Sequence, residues 1–80
     1  MRVEHPGVVL HGAIEAKGWS LRFFGRLSGL EASRVSEICR GVRNITASSA
    51  LRLETVFDKP AIEWLELQIR WDLQEARKKR

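Results

Sequence analysis

The chain has 80 residues, of which 44% are apolar and 30% charged, and a net charge of +4. A chain of this length supports one small core and buries only roughly 60% of its unfolded surface, which excludes a second domain and argues against an enclosed substrate cavity. Its single cysteine, Cys39, excludes an internal disulfide framework and a cysteine-based zinc cluster, and fits a reducing, cytoplasmic compartment.

The N-terminal residues Met1, Arg2, Val3, Glu4, His5 and Pro6 contain no apolar signal core, and the longest aliphatic run, Val8 to Leu10, is far too short to span a bilayer. Pro6 suits the first turn of a helix, where a missing N–H costs nothing. Val9 or Leu10, Ala13 and Ile14 then recur at helical spacing until Gly18, which predicts a first helix over about 6–17. Ser20 is a good N-cap for a short second helix ending near Leu27, with Leu21, Phe24 and Leu27 apolar. A third runs from about Glu31 to Arg40 with Val35 and Ile38 inward, and Gly41 stands where a C-terminal cap needs positive φ. Thr46 caps a fourth, whose apolar face holds Ala47, Ala50, Leu51, Leu53 and Phe57 before Asp58, Lys59 and Pro60 break it. The fifth starts near Pro60 or Ala61 and gives way at about residue 76 to the tail Arg77 to Arg80, a short disordered cationic end by default. No segment alternates with the period of a strand, so the expected fold is all-α, about five helices in one domain spanning 1–80.

The second and third helices, separated by Ser28, Gly29 and Leu30, fit a helix-turn-helix over about residues 20–40. Gly25 supplies the small residue wanted where the two helices cross. Gly29 tolerates positive φ in the turn, and Leu30 anchors it. An ordinary αα-corner of a bundle shows the same inward residues, so the pattern alone leaves both readings open.

Charge is distributed in blocks. Residues 16–52 hold seven Lys and Arg against two acids, residues 53–76 hold two against six, and the tail adds four cations. Six of the seven middle cations are arginines, whose planar guanidinium grips phosphate bidentately and reads guanine edges. A polyanionic partner and a merely solvated basic surface both fit this pattern.

On the fifth helix, at 100° per residue, Ile62, Leu65, Ile69, Leu73 and Ala76 form one stripe and Trp64, Leu67 and Trp71 a nearly opposite one. One stripe suffices to cover the core. The other, with two tryptophans, is expected to meet a second chain, giving a homodimer with Trp64, Leu67 and Trp71 at its interface. The acidic residues Glu63, Glu66, Asp72 and Glu75 between the stripes offer either a solvated face or a landing place for a basic protein.

Catalytic signals are weak. His5, His11 and Cys39 fall on different predicted elements without metal-ligand spacing, so no metal site is expected. Thr46, Ser48 and Ser49 read as a capped helix start, not a nucleophile site, and Trp19 as a lid on the core. No paired acid and base or phosphate loop is visible, and an enzyme or a cofactor is not expected.

The segments "EHPGVVL", "NITASSALRLETVF" and "EWLELQIRWDL" resemble the HigA antitoxin branch of the Xre-type helix-turn-helix regulators, nearly without gaps from His5 to Leu73. The resemblance implies a five-helix Xre/lambda-repressor-like domain that dimerises, binds a palindromic double-stranded operator, neutralises a small RelE/HigB-like ribonuclease toxin and represses its own operon. It places Glu31 to Arg40 as the recognition helix, with Ala32, Ser33, Ser36 and Glu37 near base edges and Arg34 at their flank. Ser20, Arg22, Arg40 and Arg43 become the phosphate contacts. The sequence departs from the family pattern at Phe24 and Gly25, at Glu31, at Ala32 and at Glu37, which brings a carboxylate to the groove. Glu37 then accepts from cytosine N4 or pairs with Arg34 or Arg40. A solitary Xre-type repressor without a toxin, and a protein-interaction module that has lost DNA binding, are the alternative readings.

Overall fold

In the computed structural model, which describes residues 3–79, five helices follow one another: α1 (Pro6–Ala16), α2 (Leu21–Ser28), α3 (Ala32–Cys39), α4 (Ala47–Val56) and α5 (Ala61–Lys78). Met1 and Arg2 of the N-terminal segment and Arg80 of the basic tail lie outside the described residues. Helix starts are set by side chains that satisfy orphan N–H groups. Ser20 Oγ accepts from the Phe23 N–H at 3.0 Å. Thr46 Oγ1 accepts from the Ser49 N–H at 3.2 Å while Ser49 Oγ accepts from the Thr46 N–H at 2.8 Å, a reciprocal capping box. α1 is capped by His5, whose Nδ1 accepts from the Gly7 N–H at 2.9 Å. The imidazole thus does its work at the helix terminus, where the His-Pro-Gly run opens α1.

α1 and α2 pack against α3, and α5 lies across α4 and α1. Leu10, Ile14, Phe24, Leu30, Val35, Ile38, Ile45, Ala50, Leu53 and Trp64 form the buried core. An aromatic file extends it: Phe24 and Phe57 stack at 5.5 Å between centroids, and Phe57 meets Trp64 at 6.0 Å. Trp19 stacks on Phe24 at 6.3 Å, in the lid position expected of it. Three apolar residues assigned to the core side are instead exposed, Leu27 of α2 and Ala47 and Leu51 of α4. Each sits beyond the reach of a core already filled by Phe24 and by Ala50 with Leu53.

Close backbone approach decides two glycines. A Cβ at Gly25 would lie 2.8 Å from the Leu30 carbonyl oxygen, so the small residue admits the turn leading into α3. A Cβ at Gly7 would lie 1.8 Å from the Ile38 carbonyl oxygen. The start of α1 is therefore pressed onto the backbone of α3, a contact between distant segments that spacing did not announce.

α5 overturns the expected choice of stripes. Trp64 is wholly buried in its own core, and Leu67 and Trp71 are half-buried, so these three do not form a free interface. Ile62, Ile69 and Leu73 are the exposed ones, at 63%, 52% and 46%. The inward stripe is the one with the greater aromatic volume, and it also carries Gln68, whose polarity is met inside: its Oε1 accepts from the buried Ile45 N–H at 2.7 Å. The helix also runs to Lys78, two residues past its expected end. Arg77 and Lys78 are good helix formers placed at the negative end of the helix dipole, and Lys78 Nζ lies 3.0 Å from Glu75.

Candidate nucleic-acid interface

The turn between α2 and α3 is built around Gly29, whose φ of 80° is left-handed. The Ser28 hydroxyl accepts from the Leu30 N–H at 3.2 Å, and Leu30 is buried beneath the turn. From α4, Arg52 reaches across with Nη1 donating to the Ser28 carbonyl at 3.4 Å. A Cβ at Gly29 would displace this guanidinium, and the left-handed φ already disfavours a side chain there. Sequence reasoning counted Arg52 in the basic block but gave it no role, because a contact between residues 28 and 52 leaves no local signature.

Val35 and Ile38 anchor α3 inward and fix which side faces out. Ser33, Ser36, Glu37 and Arg40 then fall within about 100° of arc, given 100° per residue, on the outward side. Ser33 and Arg40 are exposed, Ser36 and Glu37 partly so. Ala32 is exposed on one flank. Arg34 lies on the other flank, half-buried, with its Nε covered and without a hydrogen-bond partner among the described residues. The structure therefore brings together three of the candidate base-facing residues, Ser33, Ser36 and Glu37, with Arg40, a candidate phosphate contact, and leaves Ala32 and Arg34 on opposite flanks.

Glu31 occupies the N-cap of α3 without bonding to it, leaving a bare carboxylate at the positive end of a helix. Glu37 does not pair with Arg34 or Arg40. Its partner is Arg43 in the following loop, with Nε donating to Oε1 at 2.7 Å. That loop is held by Gln68 from α5 through the Ile45 N–H. Gln68 is a second residue that sequence reasoning did not assign, although it lies inside the quoted "EWLELQIRWDL" segment.

Around this surface Arg22, Arg26, Arg40 and Arg52 are exposed, and none of them is in an ion pair among the described residues. Ser20, at the start of α2, accepts a cap bond and keeps its hydroxyl proton for an external acceptor. The acidic residues of α5 are less available: Asp72 accepts from Gln68 Nε2 at 2.9 Å, Glu63 lies 3.8 Å from Lys59, and Glu75 faces Lys78. Cys39, on the core side of α3, is half-buried, and loss of hydration raises its pKa, so it stays a thiol and not a thiolate. Among the described residues no group of three His, Cys, Asp or Glu side chains is placed to hold a metal, and no helix is long and apolar enough to cross a membrane.

Comparison with known proteins agrees with this geometry. Residues 11–64 match the helix-turn-helix family. Virulence-associated protein I of Dichelobacter nodosus is 37% identical over 73 residues, covering 90% of this chain and 68% of that protein. An addiction module antidote protein of a HigA family from Coxiella burnetii has a TM-score of 0.92 at 35% identity, covering 99% of this chain and 87% of its own. Pseudomonas aeruginosa antitoxin HigA, solved with the higBA promoter, gives 0.91 at 32% identity, covering 98% of this chain and 86% of its own.

Proposed function

The chain belongs to the helix-turn-helix family, with HigA-type antitoxins among its structural neighbours, and on that premise we propose that it is a DNA-binding antitoxin and autorepressor. In this reading a homodimer lays one α3 per protomer into successive major grooves of a palindromic operator, with half-sites roughly 34 Å apart. The observation that carries it is the outward face of α3, where Ser33, Ser36, Glu37 and Arg40 stand together while Arg22 and Arg26 lie on the adjoining α2. Hydroxyl and guanidinium groups offer donors to base edges and phosphates, and repression follows from occupancy of the promoter. The reaction is binding alone, in the cytoplasm, and requires no cofactor.

Dimerisation draws on the exposed stripe of α5. Ile62, Ile69 and Leu73 present an apolar row that a second copy would remove from water. The toxin in this proposal is a RelE/HigB-like ribonuclease encoded beside the gene. Of the four α5 acids, Asp72, Glu63 and Glu75 already face intramolecular partners, which leaves Glu66 as the exposed one without a partner among the described residues.

Growth of a bacterial culture expressing the adjacent small open reading frame, alone and together with this protein, tests the antitoxin role. Arrest alone with rescue on co-expression is expected. No arrest, or arrest without rescue, leaves a solitary repressor. Retention of the upstream DNA that falls steeply with salt tests operator binding, and loss of all retention at low salt would overturn it.

A further inference from the structure

Glu37 and Arg43 are joined on the outward side of α3 by a single short contact, Nε to Oε1 at 2.7 Å. The sequence reading separates these residues, giving Glu37 a base edge and Arg43 a phosphate. The geometry joins them, and three features say what the joint unit does. Both side chains are substantially exposed, and a surface pair of this kind contributes little to folding. The contact uses the Nε side of the guanidinium, so the two Nη amino groups remain unengaged, a pair of parallel donors that matches O6 and N7 of guanine. Pairing also neutralises the Glu37 carboxylate, which would otherwise enter the field of the phosphates unpaired, and so weakens it as an acceptor for a cytosine amino group.

The backbone on either side of Arg43 is held. The Val42 N–H donates to the Glu37 carbonyl at 3.0 Å, and the Ile45 N–H is held by Gln68 at 2.7 Å. We infer that Glu37 and Arg43 form one base-reading unit, in which Arg43 reads a guanine in the major groove and Glu37 positions its guanidinium. This rests on the DNA-binding reading above and names its specificity.

The test begins with selection of preferred sites by the full-length protein from a randomised duplex library, where a guanine is expected at one position of each half-site. Competition binding then compares that site with its single-base replacements for wild type, Glu37→Ala, Arg43→Lys and the double variant. Wild type should favour the guanine by about tenfold. Glu37→Ala and Arg43→Lys should each bring that ratio close to one while preferences elsewhere in the site persist, and the double variant should fall no further than Arg43→Lys. Because Arg43→Lys keeps the charge, its salt dependence should match wild type, which a phosphate contact alone would not combine with lost base preference. Circular dichroism on each variant excludes unfolding as the cause. Undiminished discrimination in both single variants overturns the inference, as does a cytosine preference abolished by Glu37→Ala but untouched by Arg43→Lys. Absence of site-selective binding by the wild-type protein instead overturns the DNA-binding reading beneath it.

Discussion

Gln68 on α5 and Ile45 in the loop after α3 are tied by a buried hydrogen bond in which the Gln68 Oε1 accepts the Ile45 N–H at 2.7 Å. The same side chain donates to Asp72 at 2.9 Å, so its amide is used at both ends. Gln68→Ala leaves a buried backbone donor without its acceptor and should cost about 1–3 kcal/mol. Urea denaturation reads this as a lower midpoint with an unchanged slope. A variant as stable as wild type would show that water replaces the amide.

Gly7→Ala should be among the most damaging small changes in the chain. The added methyl carbon would start 1.8 Å from the Ile38 carbonyl oxygen, so α1 must shift away from α3. Overpacking of this kind costs about 1–3 kcal/mol or more. Gly12→Ala serves as the control, since a Cβ there meets nothing within 4 Å, and it should be neutral or stabilising. Thermal midpoints of the two variants should move in opposite directions or differ by several degrees.

The corrected reading of α5 predicts contrasting outcomes on its two sides. Ile69→Glu should leave the helical signal intact and reduce the sedimenting species to the 9.2 kDa monomer at micromolar concentration. Trp64→Ala should instead unfold the domain, at a cost of about 3–5 kcal/mol. A wild-type chain that sediments as a monomer would remove the dimer from the proposal.

Cys39 should be a slow nucleophile in the native protein. Burial raises its thiol pKa, so at any given neutral or mildly alkaline pH less thiolate is present than in the unfolded chain. The sign for stability follows: the contribution is complete below the unfolded thiol's pKa and fades as pH rises through the folded value. Alkylation at pH 8 should be much slower without urea than with it. Equal rates would contradict the burial argument.

Arg22 and Arg40 should contribute charge without base preference. Replacing either with Ala should weaken binding to all duplexes alike and reduce the dependence of log affinity on log salt by about one unit. A changed sequence preference in Arg22→Ala would place the start of α2 deeper in the groove than proposed.

The helices were legible where local chemistry dominates: Ser20 and Thr46 as caps, Gly29 as the left-handed turn, and Val35 with Ile38 as the inner side of α3. What could not be read were relationships between distant segments. The two stripes of α5 are equivalent in periodicity, and only the space left beside Phe57 and the N–H of Ile45 decides that Trp64 and Gln68 turn inward. The same holds for the candidate interface. Spacing puts Ser33, Ser36 and Glu37 on one outward side of α3, and the structure keeps them there with Arg34 half-buried on the flank that the resemblance gave it. The partner of Glu37 lay six residues away, beyond the end of the helix, where rules for helical spacing no longer apply.

Arg52 gives the turn a further property. With its guanidinium lodged against Gly29 and bonded to Ser28, and with Gln68 holding the exit of α3, the helix is braced at both ends before any encounter. Association then has little backbone left to order, and the entropy lost at contact belongs mainly to surface side chains such as Arg40 and to the two bodies themselves. Under the proposed function, such a helix would meet an operator with its backbone already in place, and association would need no refolding of α3.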